Sequence, residues 1–167
     1  MFDGLVLGVD PGLSRCGLAV VARHDRHPQI VWSTTVHTPD DASEALRLHV
    51  IWEAVASAIA THRPSALALE RVAWNVNKAS AMSVARATGA IMAAAAASGV
   101  PVEEYGSLEV KNAITGMGHA DKQQVQRALV RVHGLADVPS QSDAADAVAV
   151  AVTHLVRART AARAGAR

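Results

Sequence analysis

Apolar residues change their spacing several times along this chain, and each change marks an element. Residues 5–10 are a nearly unbroken apolar run that closes on Pro11-Gly12, and 16–22 are a second run, so the chain opens as two strands joined by a tight turn. A third strand is predicted over 30–36, after His27-Pro28. From Thr38-Pro39-Asp40-Asp41 the spacing becomes helical, with Ala45, Leu48, Ile51, Trp52, Val55 and Ile59 on one face as far as His62. A short buried strand over 66–70 ends on Glu70. A helix over 78–98 is stopped by Gly99 and Pro101, and a fifth strand covers 101–104. Two short helices, 108–114 and 122–132, flank the Gly116-Met117-Gly118 loop, and a last helix spans 143–157. The order β-β-β-α-β-α-β-α-α-α predicts an α/β fold, a mixed five-stranded sheet with helices on both faces.

Length and composition narrow this further. A chain of 167 residues suits one domain and is short for two. We expect that domain over 1–158 and a basic, disordered tail over 159–167. Half the residues are hydrophobic and 19% are charged, which excludes a disordered chain. The most apolar stretch, 87–100, is mainly alanine and falls short of the roughly 20 residues a membrane span needs, so no membrane association is expected. Cys16 is the lone cysteine, which rules out a disulfide or a cysteine metal cage within one chain. With no signal-peptide pattern at the start, a cytoplasmic location is expected. Net charge is only +1 and does not announce a nucleic-acid partner, but its distribution is uneven. Lys and Arg number 5 against 7 acids up to Leu69, and 11 against 8 from Glu70 onward.

Four acids stand at positions where chemistry is done. Asp10 ends the first strand and Glu70 ends the fourth, where a strand-terminal acid points into the crevice beyond the sheet. Asp143 and Asp146 lie three apart at the start of the last helix and share a face. Each has an ordinary explanation: Asp-Pro-Gly is turn chemistry, Glu70 beside Arg71 can be a surface ion pair, and acids after Ser142 favour a helix N-terminus. Together they form the set that two-metal phosphodiester hydrolysis requires, several carboxylates on rigid elements holding hard cations.

The residues in and around these positions resemble the RuvC family of Holliday-junction resolvases from Gly8 to His154. The matching blocks are Gly-Val-Asp-Pro-Gly-Leu-Ser-Arg-Cys-Gly (8–17), Leu-Glu-Arg-Val (69–72), Glu-Val-Lys (109–111), Gly-Met-Gly-His-Ala-Asp-Lys (116–122) and Asp-Ala-Ala-Asp-Ala (143–147). The resemblance implies an RNase H-like fold, a homodimer, and Asp10, Glu70, Asp143 and Asp146 as the catalytic set binding two Mg2+ ions, with Mn2+ able to substitute. It places Lys111 and Lys122 near the scissile phosphate of four-way junction DNA, Lys122 among the catalytic residues, and suggests RuvA- and RuvB-type branch-migration proteins as partners. Family members use the region of the 78–98 helix for their dimer contact.

One position departs from the pattern. Family members commonly carry an aromatic residue three after the Glu, where this chain has Ala73 followed by Trp74. Trp74 is a candidate to stack on a base from a shifted loop, or else a core or interface tryptophan. Arg71, Lys78 and Arg86 are candidates to line the DNA path, or a solvated helix face. Competing readings are an actin-like ATPase, for which the chain offers one subdomain where two are needed, a related nuclease with another substrate, and a junction-binding protein without chemistry.

Overall fold

A computed structural model describes residues 4–24, 27–71 and 78–165. The strands are β1 (Leu5–Asp10), β2 (Arg15–His24), β3 (His27–His37), β4 (Ala66–Glu70) and β5 (Val102–Tyr105). The helices are α1 (Glu44–His62), α2 (Lys78–Ala97), α3 (Ser107–Thr115), α4 (Lys122–Arg131) and α5 (Ser142–Gly165). The strands form one sheet in the order β3-β2-β1-β4-β5. β2 is antiparallel to both β1 and β3, while β4 runs parallel to β1 and β5 parallel to β4. Among the described residues no helix is long and apolar enough to cross a membrane.

Alternation along the strands divides the sheet into two unlike faces. Leu7, Val9, Leu18, Val20, Leu67 and Leu69 point to one side and pack with Ile51, Val55, Ala87 and Ile91 of α1 and α2. The other side carries Val6, Ala19, Val21 and Ala68 and packs with residues of α3, α4 and α5. Gly8 and Gly17 belong to this second face, because Gly8 pairs with Ala19 and Ala68 and Gly17 pairs with Asp10. The small side chains let α5 sink onto the sheet. A Cβ built on Gly8 would overlap the carbonyl oxygen of Ala147, and one on Gly17 would overlap the carbonyl oxygen of Asp143. Glycine is therefore required at both positions for close approach, whatever the backbone angles.

Several element ends differ from the sequence expectation. The Thr38 to Asp41 segment is a turn and not the start of α1, which is capped by Ser43 accepting from the Leu46 N–H at 3.4 Å. That turn is held by Arg47, which donates to Thr38 Oγ1 at 2.8 Å, Ser14 Oγ at 2.6 Å and Asp40 Oδ1 at 3.3 Å. Thr38 Oγ1 in turn donates to the Leu13 carbonyl at 2.6 Å, so the connection between β1 and β2 is tied to α1. The α5 backbone runs on as helix to Gly165, into the segment expected as a basic tail. The reason is local, since 158–164 contains only Ala, Arg and Thr, with alanine the strongest helix former and no Gly or Pro before Gly165.

Gly17→Ala is expected to destabilise the protein by about 1–3 kcal/mol or more, because the methyl group meets backbone and not a movable side chain. Gly89→Ala, on an exposed position of α2 with nothing within 4 Å of the added carbon, should be neutral or stabilising. Urea unfolding of the two variants checks both; equal midpoints would contradict the close-approach account.

Candidate active site

β1 and β4 are parallel neighbours, so Asp10 and Glu70 finish side by side at the same edge of the sheet. Both point to the small-residue face, two residues beyond Gly8 and Ala68 respectively. Gly17, beside Asp10, admits the first turn of α5, and with it Asp143. Asp146 follows one turn later on the same side. Both α5 acids are half-buried and each meets a cation: Arg15 Nε lies 3.5 Å from Asp143 Oδ2, and Lys122 Nζ lies 2.7 Å from Asp146 Oδ2. Lys122 also donates to Ser142 Oγ at 2.9 Å. It opens α4, whose start is fixed by a reciprocal capping box in which Asp121 accepts from the Gln124 N–H and Gln124 Oε1 accepts from the Asp121 N–H, both at 2.8 Å.

Electrostatics bind the four acids into one unit. Burial is the main cause that pushes the Asp10 carboxyl up to about 8, with the negative charges of Glu70, Asp146 and Asp143 adding to it and Lys122 opposing. Glu70 is also raised, by burial first and then by Asp146, against a hydrogen bond from Ser107 and the charges of Lys122 and Lys111. Lys122 is held more firmly protonated, chiefly through its hydrogen bond to Asp146. Cys16, buried on the opposite face among the residues under α1, has its thiol pushed up to about 12 by burial.

Such a cluster draws four carboxyl groups to one sheet edge, and its acidic donors are all oxygens. Hard divalent cations take that donor set, so the residues fit one. Among the described residues no three acid or imidazole groups stand close enough to enclose an ion as the side chains lie.

The chain as a whole has relatives. A family model described as crossover junction endodeoxyribonuclease RuvC matches residues 6–154. This chain belongs to the RuvC family. A crossover junction endodeoxyribonuclease RuvC of Saccharopolyspora erythraea is 45% identical over 159 residues, covering 95% of this chain and 80% of that protein. The structure of Thermus thermophilus RuvC in complex with Holliday junction substrate superposes with a TM-score of 0.88 at 34% identity, covering 95% of this chain and 97% of that one. A yeast mitochondrial Holliday junction resolvase, 11% identical, shares the fold with a TM-score of 0.69 over 90% of this chain and 77% of its own. The fold is RNase H-like, and the RuvC family is one of phosphodiester-cleaving nucleases whose activity implies a divalent metal.

The other candidates are placed unevenly around the four acids of this RuvC-family chain. Lys111 of α3 acts electrostatically on Glu70. Arg71 follows β4 but its guanidinium donates to the Glu104 carbonyl at 3.3 Å, which turns it along β5. Arg86 is bonded to both oxygens of Glu44 at 2.8 Å, joining α2 to α1 on the opposite face, and is not brought to the acids. Lys78 is the first residue of α2. Ala73 and Trp74 lie outside the described residues. Arg15 and Ser107 belong to the site without standing out in the sequence. Arg15 does carry a signal, because it stands two residues before Gly17 and so shares the face of Asp10.

Asp10 holds a proton in the native state that the unfolded chain has lost between pH about 4 and about 8, so metal-free protein should lose stability as pH rises through that window. Asp10→Asn should remove most of this slope, making the variant more stable than wild type at pH 8 and equal to it near pH 4. Thermal unfolding in a chelator, as a function of pH, measures the difference.

Proposed function

We propose that this protein resolves Holliday junctions by cutting two strands of like polarity at symmetric points. The observation that carries the proposal is the coupled set of Asp10, Glu70, Asp143 and Asp146 at the sheet edge, flanked by Lys111 and Lys122. The Thermus thermophilus relative, described with a Holliday junction substrate, supports the choice of DNA. The four acids would hold two magnesium ions, with manganese as a substitute, which supply activation of a water and charge neutralisation at the attacking and leaving oxygens.

The chain's own residues do the rest. The rigid strand ends and the first turn of α5 hold the acids in fixed relation, so little reorganisation is needed when the phosphate arrives. Lys122 is a point charge already poised at the site by Asp146 and Ser142, and it can hold a phosphate oxygen and stabilise charge that develops there. Lys111 approaches from α3 on the Glu70 side. In-line attack by water leaves a 3′-hydroxyl and a 5′-phosphate, ends that a ligase can join.

Symmetric cutting calls for a two-fold symmetric enzyme, and the proposal includes a homodimer. Exposed Met82 and Met92 on the alanine-rich α2 support a contact through that helix. Branch-migration proteins of the RuvA and RuvB type are the proposed partners, and the cytoplasm the proposed location. Trp74 is retained as a proposed stacking residue in the junction.

Purified protein with a synthetic four-way junction, a fork and a plain duplex in magnesium tests the proposal. Paired, ligatable nicks are expected in the junction alone and none from Asp143→Asn; equal cutting of all three substrates would point to a different nuclease. Lys122→Ala should lower the single-turnover cleavage rate by roughly 100-fold at saturating enzyme, the scale for removing one charge-stabilising donor. A rate unchanged within twofold would remove Lys122 from the chemistry.

A further inference from the structure

α4 presents a second cationic surface that the carboxylate site does not use. From Gln123 to Ala136 the chain holds Arg127, Arg131 and His133 and no acid, Asp137 being the next acid, although the whole protein has a net charge of only +1. Val125, Ala128 and Leu129 bury one face of the helix, and Arg127, Val130 and Arg131 stand exposed on the other. Against that exposed face the 138–140 segment forms a groove of about 390 Å³, lined by Arg127, Val130, Arg131, Val138, Pro139 and Ser140.

The two arginines differ from the ion-paired cations of the fold. Arg15, Arg47, Arg86, Lys122 and Arg157 each face a carboxylate within 4.0 Å. Arg127 has only a long hydrogen bond to Gln123 at 3.5 Å, and neither it nor Arg131 meets a carboxylate among the described residues. Guanidinium groups without a carboxylate partner repel one another and attract a polyanion.

Both walls of the groove lead along the chain to the site. Lys122 begins the helix whose later turns carry the arginines, and Ser140 precedes by two residues the Ser142 that Lys122 bonds. Arg127 and Arg131 lie five and nine residues beyond Lys122, roughly 7.5 and 13.5 Å along the helix axis. With 3.6 residues per turn the same steps carry them roughly 140° and 180° around the axis, so they stand on a different side of the helix from Lys122.

We infer that the exposed face of α4 and the 138–140 segment form a phosphate track for a duplex arm of the junction where it passes α4, gripped by Arg127 and Arg131. The inference rests on the resolvase proposal and adds to it where an arm of the junction lies. The track sets affinity and direction, and leaves the chemistry to the carboxylates.

The test is junction binding by fluorescence anisotropy across a salt series, with Arg127→Gln/Arg131→Gln introduced into the non-cutting Asp143→Asn protein. Affinity is expected to fall roughly tenfold near 0.1 M salt and the slope of log K against log salt to shrink by about 2, one for each phosphate no longer neutralised. In otherwise wild-type protein the double variant should cut at an unchanged rate once enzyme saturates the junction. Arg127→Lys/Arg131→Lys should restore most of the affinity, which a folding defect would not allow, and Arg63→Gln, at the end of α1 on the other face, should change nothing. Unchanged affinity and slope in the glutamine variant, with wild type still cutting the junction, would overturn the track alone. Wild type that neither binds nor cuts the junction would overturn the resolvase proposal and the track with it.

Discussion

The separation between the backbone of α5 and the backbones of β1 and β2 is the constraint on which the rest depends. It is set by two absent side chains. With any Cβ at Gly8 or Gly17 the helix must lift away from the sheet, and its first turn carries Asp143 and Asp146 with it. Because contact there is with carbonyl oxygens, no side-chain rotation relieves it. The same approach excludes water from Asp10, which is why burial is the leading cause of its raised pKa. Packing and electrostatics at this site are one fact seen in two ways.

A cluster of this kind does not help the protein fold. Four acids drawn together repel, and partial burial adds the cost of lost hydration. The structure offsets this in two places. Arg15 and Lys122 each lean on one α5 acid. The opposite sheet face supplies a separate core of large aliphatic residues, Leu7, Leu18, Leu67, Leu69, Ile51 and Ile91, with almost no water contact. The two faces divide the work: one secures the sheet, and the other tolerates small residues and clustered acids so that the helix can come close.

How much of this the sequence discloses follows from the kind of signal involved. β1 and β4 are legible to the residue, because each is an apolar run ended by an acid. β2 and β3 extend past their apolar cores to Arg15, His24, His27 and His37, since backbone pairing continues through polar residues that periodicity discards. The turn before α1 looks like a helix start because Pro and acids are common there, and only the bonds of Arg47 to Ser14 and Thr38, distant in sequence, show otherwise. At the site, the acids are legible through spacing and strand ends. Arg86 cannot be placed that way, because its partner Glu44 lies 42 residues earlier on another helix. Arg15 is within reach of the alternation that marks Gly17.

Cys16 sits one residue before Gly17 yet faces away, wholly buried and with its thiol held neutral. A thiolate in that position beside carboxylates would make a soft, mixed binding site, and late first-row metals such as zinc and copper bind such sites far more tightly than magnesium does. Turning the sulfur into the opposite core leaves only oxygen to offer. The alternation of a β-strand, which decides nothing more than which side a residue faces, thereby keeps sulfur out of the donors gathered at the sheet edge.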